Sequence, residues 1–171
     1  MPNYCNNSLR VKGSTEALDA VERVLEVFRI ERKYDGCLPP RWEIDSIDRD
    51  LDVLFAHGPS AWRPPDEMLF DISKRYDVFI YNQYNEPGLS FAGHTYYERG
   101  ERFDFCADLY QYFYFNDLDE FQYHLTNLVM EMGPDKTFED AESIIFGGWD
   151  VAKPVDDVKQ MFNEIKKRIY E

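Results

Sequence analysis

The chain has 171 residues, 44% apolar and 16% aromatic, and its 33 acidic side chains against 19 basic ones give a formal charge of -14. That length buries a core without disulfides or metals, the aromatic load excludes a disordered chain, and the charge repels nucleic acid and anionic membranes. No stretch approaches the roughly 18 consecutive apolar residues of a membrane span, and Met1-Pro2-Asn3 has neither the basic nor the apolar region of a signal peptide. The expectation is a cytoplasmic protein without membrane contact.

Cys5, Cys37 and Cys106 are odd in number, widely spaced and without a CxxC pair, the pattern of reduced thiols. The acidity is concentrated: residues 42–124 hold 17 Asp/Glu against 6 Lys/Arg, whereas residues 1–41 hold 6 against 7.

In chain order, "NNSLRVKG" alternates Leu9 and Val11 with Arg10 and Lys12, the period of a half-buried strand. Gly13-Ser14 breaks it and can cap a helix over "STEALDAVERVLEVFRIER", where Leu18, Val21, Leu25 and Phe28 share a face. On the other face Asp19 and Arg23 stand at favourable i,i+4 spacing, opposed by Glu22 and Glu26. "YDGCLPP" reads as a loop, and Trp42 and Ile44 begin a short second strand. From Leu51 to Phe55 alternation and helical spacing fit equally well, and both readings stay open.

"SAWRPPDEMLFDISKRY" predicts a helix entered through Pro64-Pro65, with Trp62 packed on the sheet and Met68, Leu69 and Ile72 inward. "DVFIYNQY" follows as a strand, and "NEPGLSFAGHTYYERGERFDF" has the form of a hairpin turning at Arg99-Gly100. Periodicity does not decide between strand and helix for "LYQYFYF", and "FEDAESIIFGGWD" is also ambiguous. "DLDEFQYHLTNLVMEMG" reads as a helix stopped at Gly133, and "KPVDDVKQMFNEIKKRIYE" as a second whose acidic start and basic end suit the helix dipole.

This order predicts one α+β domain over residues 1–171: a ferredoxin-like antiparallel sheet with helices packed on one face, plus additional C-terminal helices.

The stretches "MPNYCNNSLRVKGS", "AWRPP" and "YNEPGLSFAG" together resemble the YubB ferredoxin-like family of plasmid- and phage-encoded bacterial proteins. Members look like Met-Pro-Asn-Trp-Cys-x-Asn at the start, Ala-Trp-Ser-Pro-Pro in the middle and Glu-Pro-Gly followed by Phe-x-Gly. The resemblance spans roughly residues 1 to 100 and implies a ferredoxin-like fold and a mobile-element origin, with no activity or catalytic residue to carry over. Tyr4 stands where Trp is usual, and Arg63 replaces a Ser, so a role needing that hydroxyl is not implied.

Among candidate chemical groups, Cys5 has no basic neighbour to activate its thiol, and a buried thiol leading into a strand accounts for it. Glu86 and His94 with Trp62 and Arg63 form the alternative pocket, either for acid and base work or for stacking on a ligand. His57, His94 and His124 have no metal-ligand spacing, and no GxxxxGK[ST] or GxGxxG occurs, so neither metal nor nucleotide cofactor is expected.

What remains is the acidity. Asp45, Asp48, Asp50 and Asp52 form one set, and Asp104, Asp108, Asp117, Asp119 and Glu120, among Tyr110, Tyr112 and Tyr114, form another. Carboxylates and tyrosines on one surface can copy a nucleic-acid backbone and occupy a basic groove, and solvated acidic faces are the plain alternative. The expectation is a non-catalytic acidic protein of a mobile element that binds a basic host protein, in its specific form an inhibitor of a CRISPR or restriction nuclease. A small enzyme with a Glu/His/Cys pocket and a structural or assembly component are the alternatives. The oligomeric state is not legible.

Overall fold

The opening alternation becomes β1 (Tyr4–Lys12), with Cys5, Asn7, Leu9 and Val11 buried and Tyr4, Asn6, Arg10 and Lys12 exposed. The computed structural model describes residues 3–37, 40–149 and 151–171 and divides the chain into two units, Met1–Cys106 and Ala107–Glu171.

In the first unit β1 is followed by α1 (Thr15–Glu31), β2 (Ser46–Asp50), β3 (Val53–Ala61), α2 (Asp66–Tyr76) and β4 (Phe79–Glu86). A 3-10 turn (Pro87–Leu89), β5 (Phe91–Glu98) and β6 (Glu101–Asp108) complete it, and the strands lie in the order β2-β3-β1-β4-β5-β6. β1 pairs antiparallel with β3 on one side and β4 on the other, and β2 and β5 pair antiparallel outside them. The first four strands and two helices are the βαββαβ arrangement of a ferredoxin-like domain, and β5 and β6 widen the sheet beyond β4.

Helix α1 starts where the Ser14 hydroxyl accepts from the Ala17 amide at 3.2 Å. That cap is worth about 1 kcal/mol, whereas complete burial of Leu18, Val21, Leu25 and Phe28 contributes roughly 1.5–3 kcal/mol each, so packing on the sheet holds the helix. Met68, Leu69 and Ile72 of α2 join the same core, with Leu54, Ala56, Ile80 and Tyr97 beneath.

Several local expectations shift. Trp42 pairs with Ser60 in an isolated bridge, and the regular strand starts only at Ser46. Between them Glu43 and Asp45 donate to Pro59 and His57 carbonyls, and Gly58 (φ 155°) allows this, since a Cβ there would lie 1.8 Å from the Glu43 oxygen. Leu51 takes a left-handed conformation in the β2–β3 turn, so the open stretch resolves as a turn and then strand β3. Asp19 does not pair with Arg23 but with Arg49 of β2. Trp62 is not packed on the sheet: it is 52% exposed with φ 72°, and Pro65 stands at the cap of α2, one residue before the helix.

The second unit contains α3 (Leu109–Asn116), α4 (Leu118–Met132), α5 (Phe138–Phe146) and α6 (Val155–Tyr170). The undecided "LYQYFYF" is α3, started by the Asp108 carboxylate and buried from Leu109 through Phe113, which is why no amphipathic period shows. The undecided "FEDAESIIF" is α5, started by a Thr137–Asp140 capping box. Phe121, Leu125, Phe138, Ile145, Phe146 and Phe162 supply buried side chains of this unit.

Candidate functional site

On the face of the sheet that carries α1 and α2, the strand ends toward Cys5 become polar. Cys5 lies opposite Ser60, and Asn7 lies opposite Gly58 on β3 and Tyr84 on β4. The Asn7 amide donates to the Cys5 carbonyl and the Ser60 hydroxyl, both at 2.8 Å, and its oxygen accepts from Asn82 at 3.2 Å. Farther across, the Tyr84 and Thr95 hydroxyls donate to Asp104 at 3.1 and 2.8 Å, and Tyr97 donates to Asp66 at the start of α2. Arg102 joins both carboxylates, at 3.2 Å from Asp66 and 3.5 Å from Asp104.

These groups are locked rather than reactive. Burial pushes the Cys5 thiol up to about 12, reinforced by the negative charges of Glu86 and Asp66. Burial also raises Cys37 and Cys106, so no thiol is primed as a nucleophile. The Tyr84 and Tyr97 phenols are raised by burial and stay neutral donors. Burial raises the Asp66 carboxyl, while the Tyr97 hydroxyl and Arg102 pull it back.

The residues of the alternative pocket do not converge. Glu86 is buried on the helix-bearing face, where Oε1 accepts from the Gly88 amide at 2.9 Å and Oε2 has no hydrogen-bond partner among the described residues. His94 alternates to the opposite face, where it stacks on Phe105 at 5.5 Å and burial lowers its pKa. The sheet itself therefore stands between the two groups. Arg63 is exposed beside a cavity of about 400 Å³ at the start of α2, which Arg41, Ser60 and Arg102 also line. Among the described residues no group of His, Cys, Asp and Glu is arranged to hold a metal ion.

The two acidic sets have different fates. Asp104 is tied to Tyr84, Thr95 and Arg102, while Asp108 caps α3 and Asp117 caps α4. Asp119 and Glu120 occupy the first turn of α4, where the helix dipole favours them. Tyr110 and Tyr112 are buried, at 8% and 1% exposure, and Tyr114 packs on Phe121 and Trp149. Asp45, Asp48, Asp50 and Asp52, by contrast, are all exposed along the β2 edge, and no ion pair joins them to a cation among the described residues. The one basic residue within that run, Arg49, alternates to the other face and pairs with Asp19 and Glu22 of α1.

Sequence reasoning missed one surface. On the face opposite α1 and α2, Phe79, Tyr81, His94, Tyr96 and Phe105 form a chain of ring contacts 5.1–5.8 Å apart, with Arg10 over Tyr81 at 5.9 Å. Tyr96, Phe103 and Phe105 are 37%, 58% and 47% exposed. The signal was there in "FIYNQY" and "HTYY", where both alternate sets carry aromatics although a strand with one wet face carries polar residues on it, and in "RFDF", where Phe103 and Phe105 make one whole set aromatic.

A helix-backed sheet with an acidic edge, an aromatic open face and dispersed reactive groups defines a ferredoxin-like α+β protein. The sequence model of the family described as the ferredoxin-like domain in Api92-like protein matches residues 41–126, half of the chain, and the chain belongs to that family. The match runs from Arg41 through β2, β3, α2 and β4 to β6 and into α4. No curated protein and no solved structure matches. No helix among the described residues is long and apolar enough to cross a membrane.

Proposed function

We propose that this protein is a non-catalytic binding protein of a mobile genetic element, of the YubB type to which its opening sequence is similar, acting in the bacterial cytoplasm on a basic host protein. The observation that carries the reading is the unneutralised edge: Asp45, Asp48, Asp50 and Asp52 exposed together while Arg49 is drawn away to α1. Asp48 and Asp50 share a face of β2 about 6.7 Å apart along the strand, so a basic surface meets a repeated negative charge. The aromatic patch on β4, β5 and β6, toward the other end of the sheet's open face, supplies anchors of the kind that dominate protein interfaces. In its specific form the partner is a defence nuclease of the CRISPR or restriction class whose nucleic-acid groove the carboxylates occupy.

The test is affinity capture from a bacterial lysate at low and high salt, with the wild-type chain beside D48N/D50N/D52N. A basic protein retained at low salt, released as the screening length shrinks from about 10 Å at 0.1 M to about 3 Å at 1 M, and lost with the triple variant supports the reading. Equal capture by the triple variant refutes it.

A further inference from the structure

The two edges of the sheet are built differently. β2 is short, five residues, and guarded by Asp48 and Asp50, the usual way of blocking edge-to-edge pairing. β6 has eight residues, the first six exposed, and no further strand beside it among the described residues. It carries Phe103 and Phe105 on the open face and Arg102 and Asp104 on the other.

The pairing geometry of that edge follows from the β5–β6 turn. Arg99 (φ 50°) and Gly100 (φ 84°) make a two-residue hairpin turn, so Glu98 faces Glu101, Thr95 faces Asp104 and His94 faces Phe105. The Thr95–Asp104 hydrogen bond and the His94–Phe105 stacking agree with that register. In an antiparallel ladder, backbone groups of alternate residues point to alternate sides. Those of residues 101, 103 and 105 turn to β5, and those of 102, 104 and 106 turn to the outer edge.

We infer that β6 pairs antiparallel with β6 of a second copy of this chain, about a two-fold axis at Phe103. In this register the outward backbone groups of residue 102 in each copy bond those of residue 104 in the other. Arg102 then faces Asp104 of the second copy twice, and the two Phe103 rings meet at the axis on the open face. Shifting the ladder by two residues in either direction sets Asp104 against Asp104 or Arg102 against Arg102, and like charges directly across a ladder are unfavourable. The short sequence Arg-Phe-Asp is thus self-complementary at one register, as a two-fold interface requires. The pairing joins the aromatic faces of both copies and leaves the acidic β2 edges at the two far ends. It does not depend on what those edges bind.

The experiment is sedimentation velocity of the full chain over about 1 to 100 micromolar at about 0.15 M salt. The wild-type chain is expected to dimerise, and R102D and D104K, which each place like charges across the axis, to raise the dissociation constant at least about tenfold. Mixing R102D with D104K restores opposite charges at both positions and is expected to restore the dimer. F103K removes no buried side chain and places two ammonium groups at the axis, so it is also expected to be monomeric; it decides the question if D104K disturbs the Tyr84 and Thr95 hydrogen bonds. A monomeric wild-type chain, or a dimer that R102D and F103K leave intact, overturns the inference. Neither result bears on capture of a basic partner.

Discussion

Asn7→Ala tests whether the polar end of the helix-bearing face is held by hydrogen bonding. Asn7 is 4% exposed, and its amide makes two well-formed bonds of 2.8 Å, to the Cys5 carbonyl and the Ser60 hydroxyl. At about 1 kcal/mol net each, their loss costs about 2 kcal/mol. Ser60 keeps its 2.6 Å bond to the Arg63 carbonyl, but the Asn82 amide, fully buried, loses the oxygen it donates to, adding about 1–3 kcal/mol for a stranded group. The expected destabilisation is about 3–5 kcal/mol. Asn82→Ala alone removes one 3.2 Å bond and strands the buried Asn7 oxygen, but also removes an oxygen that already lacks a partner, and should cost about 1–2 kcal/mol. The double variant removes the stranded group as well, so the two losses should fall short of additivity by about 1–2 kcal/mol. Urea unfolding followed by the fluorescence of Trp42, which is buried with its indole N–H on the Gly58 carbonyl, reads this unit; Trp149→Phe removes the signal of the other unit. A loss under about 1 kcal/mol for Asn7→Ala, or strict additivity, refutes the reasoning.

Two further outcomes follow. His124 stacks on Phe113 at 5.1 Å, and burial holds it neutral, below its ordinary 6.5; the unfolded chain takes up the proton first as pH falls, so stability present above 6.5 is lost below it. His124→Phe is expected to flatten that slope in thermal melts between about pH 6.5 and 5, and an unchanged slope contradicts the burial argument. Of the thiols, exposed Cys106 is expected to react with a disulfide reagent in the native chain, slowed by its raised pKa, and Cys5 only on unfolding, because Cys5 is inaccessible and its pKa of about 12 leaves on the order of 10⁻⁴ as thiolate at pH 8. Rapid labelling of three thiols in the native chain would contradict it.

The elements legible in the sequence were those with one wet face. β1, α1, α4 and α6 each bury a single periodic set, so Leu9 with Val11, or Leu18 with Val21, Leu25 and Phe28, announce the element directly. α3 stayed undecided because Leu109 through Phe113 are all buried, and a helix buried all round has no period to read. Trp62 was misplaced because its left-handed backbone follows from the donation of its amide to Asn3, a contact 59 positions back in the chain.

The carboxylates show the same limit from the side of function. Adjacent Asp residues look alike in sequence, yet Asp108 and Asp117 are consumed as helix caps, Asp104 by two hydroxyls and an arginine, and Asp19 by Arg49. Each of those partners is supplied by chain geometry that residue type does not encode. What distinguishes Asp48 and Asp50 is the strand period itself: alternation sends Arg49 inward to α1 and these two acidic neighbours outward, with exposed Asp45 and Asp52 flanking the strand, so the pairing of Arg49 is what leaves the edge charged. A sequence that interleaves a base among acids reads as partly neutralised. On a strand, the period of two separates the signs onto opposite faces, and the charge that a partner meets is the outward set alone.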